Sequence, residues 1–289
     1  MRTMFLLPIC LLLFSFSGLA QNFQGVAVYE SKTKVDFNMD GRQMSPEMKK
    51  RIEENMKKAF EKTYILKFDR STSIYEEEQE LEAPGAGGGG MFFRAFSNAA
   101  GGGKHFKNVQ EGFYAQENEF MGKPFLVKDS LQKLDWQLTN ESKKIGNYTV
   151  FKATAVRQVD STEFTNYRFR GRRNQEANKE QTNPMDEVEL KKEVTVVAWY
   201  TPELPVNQGP GKYWGLPGLI LEVNDGNTII LCSKITINPS EKLKIKEPTK
   251  GKEVTQDEYN TIVMEKVKEM QENRGGGGFR SGNFQFRAN

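Results

Sequence analysis

Histidine is almost missing from this sequence. The chain has one, His105, in 289 residues. Histidine-based metal sites, and catalysis of the Ser-His-Asp or Cys-His kind, are therefore confined to that one residue, in a segment that reads as flexible. Cysteine is nearly as scarce, at two: Cys10 and Cys232. Cys10 lies in an apolar leader, so a processed chain keeps only Cys232 and has no internal disulfide. Charge of either sign is not in excess. Lys and Arg total 41 against 38 Asp and Glu, a net charge of +3, or +2 without Arg2. This balance argues against a nucleic-acid partner. A mean hydropathy of −0.64 excludes an integral helical membrane protein. No cofactor fingerprint and no metal-ligand spacing is present.

Residues 1–20 are the one long apolar stretch. Arg2 supplies a positive start, residues 5–16 an apolar centre, and Gly18-Leu19-Ala20 a small-x-small cleavage site. This is the pattern of a secretory signal peptide ending at Ala20. The alternative, a membrane anchor, needs a longer apolar run.

The rest reads as one β-rich domain over residues 21–272, with a Gly-rich insertion at 83–103 and a tail at 273–289. Residues 25–30, 63–69 and 71–76 have strand character. Ser45-Pro46 opens a helix in which Met48, Ile52, Met56, Ala59 and Phe60 form an apolar stripe expected to contact the core. A membrane-surface helix is the alternative, but the charges there are mixed. The acidic run 76–80 lacks the alternation and turn glycine of a calcium loop and is expected to be a solvated edge. The insertion and the tail both place Phe and Arg after runs of glycine. A linker with a disordered tail, or adhesive segments that meet a partner protein, fits that composition.

From Lys104 to Pro239 nearly everything reads as short strands, including 148–156, 164–169 and 194–200, with a polar surface loop at 171–186. Thr255-Gln256-Asp257-Glu258 is a capping box that opens a helix with Tyr259, Ile262, Val263, Val267 and Met270 on one face. The expected fold is mainly β (α+β): a strongly curved antiparallel sheet or partial barrel with one or two packed helices.

The most distinctive stretch is Gly215-Leu216-Pro217-Gly218-Leu219-Ile220. Leu216-Pro217-Gly218-Leu219 fits a type II turn, with Pro at the first central position and Gly at the second. Residues 219–223 are expected to pair with 228–232 through a turn at Asp225-Gly226. That register sets Val223 opposite Thr228, Leu221 opposite Ile230 and Leu219 opposite Cys232. With both faces apolar near the turn, the hairpin should be central or covered on both sides, and Cys232 an inert buried thiol. Glu222 is either a functional carboxylate or, the favoured reading, a strand-end charge that reaches solvent or a lysine. Upstream, residues 201–214 are a stiff Pro/Gly loop bracketed by Trp199, Tyr200, Tyr213 and Trp214, with Glu203 inside it. Such aromatics line a ligand pocket or simply pack beneath the loop.

Three segments carry a family resemblance: residues 134–139 with 144–148 and 152–154, residues 198–205, and residues 208–210 leading into 212–222. They resemble the GLPGLI family, exported bacterial proteins without an established activity. Val150 stands where relatives often carry cysteine. The resemblance implies an exported β-rich protein of the periplasm, the cell envelope or the extracellular space. It transfers no catalytic residue. Members are often encoded beside outer-membrane receptors, which points to a role in the envelope, with such a receptor or another envelope protein as the expected partner. The leading functional expectation is non-catalytic binding of an apolar ligand, such as a lipid, or of a partner protein. A hydrolase using Glu203 and Glu222, or an assembly factor of the envelope, is the alternative.

Overall fold

The computed structural model describes residues 23–34, 45–48, 50, 54, 60–78, 103–158 and 193–275. The described residues form one open, curved sheet of twelve strands. In chain order these are β1 (Gln24–Thr33), β2 (Glu61–Asp69), β3 (Thr72–Glu77), β4 (His105–Asn108), β5 (Phe113–Phe120), β6 (Lys123–Ser130), β7 (Gln137–Ile145), β8 (Tyr148–Gln158), β9 (Glu193–Thr201), β10 (Leu219–Asn224), β11 (Thr228–Ile237) and β12 (Lys252–Val254), followed by the helix α1 (Gln256–Gly275). The spatial order is β12-β6-β5-β4-β3-β2-β1-β11-β10-β9-β8-β7.

Two antiparallel meanders, β2 to β6 and β7 to β10, are joined through β1 and β11 at the centre. The long β1–β11 ladder brings the start of the chain against its late half, with Tyr29 opposite Cys232. Every pairing is antiparallel except β12 beside β6. β12 has only three residues, too few for a period-2 pattern, which is why sequence reading misses it.

Local chemistry explains the tight turns. Between β2 and β3, Asp69 accepts the backbone N–H groups of Ser71 and Thr72 at 2.8 and 2.6 Å, an Asx-type turn. Glu76 and Glu77, expected at a solvated edge, lie in β3 and pair across the ladder with Lys67 and Lys62. The capping box forms as expected. Thr255 N–H donates to Glu258 Oε2 at 2.9 Å, and Glu258 N–H to Thr255 Oγ1 at 3.2 Å. Tyr259 and Val263 of α1 then bury against Phe120, Phe125, Val127 and Val254. The side chains of Val267 and Met270 lie outside the described residues.

The Ser45 cap is also present, its Oγ accepting Met48 N–H at 3.2 Å. Residues 46–48, 50, 54 and 60 are helical. Met48, however, is 54% exposed rather than core. Ile52, Met56 and Ala59 lie outside the described residues, as do the signal segment, nearly all of the Gly-rich insertion, residues 164–169 and 171–186, and the tail beyond Gly275. None of the described helices is long and apolar enough to cross a membrane.

Two expectations for the distinctive stretch need correction. Gly218 has no positive φ, and its N–H donates to Leu216 O at 2.8 Å, across Pro217 alone. This is a three-residue γ-type turn, not a type II turn. Glycine is needed at 218 for another reason: a Cβ there would sit 2.1 Å from Thr201 O, where the ends of β9 and β10 touch. The hairpin register also differs by two residues. Val223 lies opposite Ile230 and Asn224 opposite Ile229, so Gly226-Asn227, not Asp225-Gly226, are the central turn residues. Gly226 takes φ +91°, which suits the first central position of a type II′ turn. The Asp225-Gly226 register would instead require positive φ at Asp225 as well. A two-residue slip leaves every side chain on its own face, so the burial pattern survives it.

The hairpin is central, between β1 and β9. Leu219, Ile220, Leu221 and Val223 are buried to 1% or less. Each contributes about 1.5–3 kcal/mol of apolar burial. β11 is covered on one side only: Ile229 and Leu231 are 36% and 40% exposed. Cys232 is buried, and burial pushes its thiol up to about 12, in keeping with an inert thiol.

Candidate functional site

The link between β9 and β10, residues 202–218, is the element from which the site is built. Leu204, Val206 and Gln208 are buried, while Glu203, Pro205 and Asn207 between them are exposed. This alternation is that of a strand, and the segment behaves as one. Leu219 N–H donates to Leu204 O at 2.9 Å, and Ile220 N–H to Gln208 O at 3.1 Å. The prolines at 202, 205 and 210 cannot donate and keep the segment from joining the regular ladder. The connector instead lies along the start of β10.

Its side chains serve two cores. Leu204 and Val206 pack with Tyr29, Leu66, Phe68, Tyr75, Leu219 and Leu221. Tyr213 and Leu216 pack with Tyr200, Ile220, Val196 and Ala198. Tyr29 adds a bond from its hydroxyl to Ile220 O at 2.7 Å. From the other half of the sheet, Lys107 of β4 donates to Gly209 O at 2.7 Å and Tyr213 O at 3.1 Å. Lys107 is fully buried, and desolvation lowers its pKa from 10.5 to about 7.

The five sequence-predicted ligand residues do not converge on one pocket. Tyr200 and Tyr213 are buried in the same core, and Tyr213 OH donates to Asp225 Oδ2 at 2.8 Å. Trp199 is next to Tyr200 on a strand and so points to the opposite face. Trp214 donates its indole N–H to Gln132 O at 3.0 Å, and its own carbonyl accepts the Trp136 indole at 2.9 Å. Glu203 is exposed and accepts Thr149 N–H at 2.9 Å. Of the motif residues, Gly215 supplies the left-handed turn at φ +91°. Leu216, Leu219 and Ile220 are core, and Pro217 is exposed. Asp225 fastens the hairpin turn, accepting Thr228 N–H on Oδ1 and pairing with Arg157 through Oδ2 at 3.2 Å.

Trp199 belongs to a different grouping. The ladder sets Leu231 opposite Glu222, and Glu222 opposite Trp199. These three side chains form one row across β11, β10 and β9. Ile229, Asn224 and Val197 form the next row. Lys143 of β7 ion-pairs with Glu222 and stands 4.3 Å from the Trp199 ring centroid. Glu222 thus has the lysine partner that the bland reading expects. The patch that results is apolar at Trp199, Val197, Ile229 and Leu231, with one neutralised charge pair at its centre.

Sequence reading missed Lys107 and Gln208, because buried lysine and glutamine run against the usual pattern. His105 is likewise buried in β4 rather than in a flexible segment. It stacks on Tyr114 at 5.4 Å, bonds through Nδ1 to Gln116 Oε1 at 3.0 Å, and is lowered to about 3, mainly by burial and then by Lys107. Among the described residues, no cluster of His, Cys, Asp and Glu has the makings of a metal site.

Residues 136–222 match a family described as "Protein of unknown function (Porph_ging)". The match runs from Trp136, just before β7, to Glu222 in β10, so it includes the whole connector. No curated protein matches the chain. Solved structures similar to it include PNGF-II in a C2 and in a P21 space group, at 13% and 14% identity, each with a TM-score of 0.46. Those alignments cover 84% of this chain but only 33% and 34% of the PNGF-II chains.

Proposed function

We propose that this chain is an exported cell-envelope protein of the GLPGLI type, made with a signal peptide over residues 1–20 and acting by non-catalytic binding. Residues 21–272 are its single domain, and the periplasm or outer envelope is its place of work. The partner is another envelope protein, such as an outer-membrane receptor, or an apolar molecule. The observation that carries this reading is the row Leu231–Glu222–Trp199 with Ile229 beside it, in which Leu231 and Ile229 are exposed and Trp199 and Glu222 half-buried. An aromatic ring backed by aliphatic side chains, with its one charge pair already neutralised, is the usual composition of a binding centre. The connector supports it from below, because its two cores and its bonds to β10 hold β9 and β10 in place. The two acidic residues considered for hydrolysis, Glu203 and Glu222, each have a separate partner, which favours binding over hydrolysis.

The test uses the mature protein, titrated with lipid vesicles and, separately, with a purified outer-membrane receptor, and read by tryptophan fluorescence. Saturable binding that Trp199→Ala and Leu231→Lys each weaken at least tenfold is expected. Absence of saturable binding to either, or binding that both variants leave unchanged, overturns the reading.

A further inference from the structure

A second group of side chains, on different strands from that row, has an unmet chemistry of its own. The ladder pairs Ser73 with Lys107 and Tyr75 with His105, so all four share one face of β3 and β4. That face meets the connector. Lys107 bonds to Gly209 O and Tyr213 O, and a Cβ on Gly211 would lie 3.9 Å from Tyr75 Cε1. Burial is near complete: Ser73, Lys107 and Gln208 are 0% exposed, Tyr75 and His105 7%.

Yet the polar atoms here are not paired. Among the described residues, Ser73 Oγ, Tyr75 OH, His105 Nε2 and both amide atoms of Gln208 have no hydrogen-bond partner. Buried polar groups are ordinarily satisfied, and several orphans on one face call for an explanation. Ser73 Oγ, Tyr75 OH and the Gln208 amide N–H can donate, and Lys107 adds a further donor. An ammonium carries three N–H groups, and the two carbonyls take two of them. No carboxylate of the described residues pairs with it. The titratable neighbours are Tyr75 on β3, His105 on β4, Tyr114 opposite Lys107 on β5, and Lys212 and Tyr213 on the connector. None of these supplies a negative charge near neutral pH. Glu77, farther along β3, is bonded to Lys62.

We propose that this face binds a small oxyanion, a carboxylate or a phosphate, beneath the Gly209–Gly211 stretch of the connector. The Lys107 ammonium is its counter-charge, and the Ser73 and Tyr75 hydroxyls and the Gln208 amide are its further donors. Charge-assisted bonds of this kind restore to a buried ammonium what desolvation removes. The site stands independently of the Leu231–Glu222–Trp199 row on β9 to β11 and of any partner there.

The experiment follows the Lys107 13Cε resonance of the mature protein, assigned by its loss in Lys107→Met. Sodium acetate and inorganic phosphate are titrated in separately, which distinguishes carboxylate from phosphate. A saturable shift with at least one of them is expected, together with a rise in the Lys107 pKa. Between about pH 6 and 9 acetate stays ionised, so its affinity should be full near pH 6 and fall about tenfold per pH unit above 7, as the free ammonium deprotonates. Ser73→Ala and Tyr75→Phe, which keep the lysine and its two carbonyl bonds, should each weaken binding about fivefold to tenfold. They keep the test valid if Lys107→Met fails to fold. Two results overturn the proposal: no saturable shift from either anion, which leaves buried water as the occupant, or a shift whose affinity neither variant changes.

Discussion

Tyr213 donates its hydroxyl to Oδ2 of Asp225 at 2.8 Å, and the same oxygen pairs with Arg157 at 3.2 Å. One carboxylate thus holds together the connector, the β10–β11 turn and the far end of β8. Arg157 is 8% exposed. Removing the carboxylate leaves its guanidinium buried without that counter-charge, and breaking a buried pair from one side is costly. Asp225→Ala should therefore destabilise the fold by about 3 kcal/mol. Tyr213→Phe, which removes one hydrogen bond, should cost about 1 kcal/mol. Because the two share an oxygen, the double variant should lose less than the sum. Urea unfolding of the four proteins measures this, and strict additivity would refute the coupling.

Gly218 and Gly226 are both glycine for unlike reasons, and the same substitution separates them. A Cβ at 218 would sit 2.1 Å from a backbone oxygen, which only movement of β9 against β10 relieves. At 226 the nearest atom is Val194 Cγ1 at 3.8 Å, so space is ample and only the φ of +91° opposes a side chain. Gly226→Ala should cost about 1–2 kcal/mol, the ordinary left-handed penalty. Gly218→Ala should cost about 3 kcal/mol or more, as overpacking against backbone does. Thermal unfolding gives the order. A mild Gly218→Ala would show that the strand ends can part.

Stability should rise with pH in two windows. Burial lowers His105 from 6.5 to about 3 and Lys107 from 10.5 to about 7. Between each pair of values the unfolded chain binds more protons than the folded one, so unfolding becomes harder as pH increases. Either group alone contributes up to about 5 kcal/mol across its window. Above pH 9 the sign reverses. Cys232 and the buried Tyr29 and Tyr75 have raised values, so the unfolded chain loses protons first. Urea midpoints from pH 3 to 10 should climb, peak near pH 9, and fall. His105→Asn should flatten the acid limb, and Lys107→Met the limb above pH 7. A limb unchanged by its variant would show that the residue is solvated in the folded chain.

Much of the sheet was legible because its signals are local. Val194–Tyr200 is a dense β-branched and aromatic run, and it forms β9. The Thr255 capping box needs only four consecutive residues, and it formed with both reciprocal bonds. The hairpin register misled because two turn types compete over the same letters, and their difference rests on one residue's φ. Gly218 misled similarly. Proline followed by glycine suits a type II turn, but here the glycine answers to Thr201, seventeen positions earlier.

The sequence by itself determined that this protein is mainly β, that any histidine chemistry is confined to His105, and that a Pro/Gly-stiffened connector feeds a central hairpin. Period-2 patterning, turn residues and scarcity are all properties of short windows. Tertiary structure alone decided which side chains meet. It buried Tyr200 and Tyr213, turned Trp199 to the opposite face beside Glu222, and carried Lys107 of β4 to the carbonyls of Gly209 and Tyr213, about a hundred positions later. Such meetings follow from strand order and curvature, and neither is encoded in any one segment.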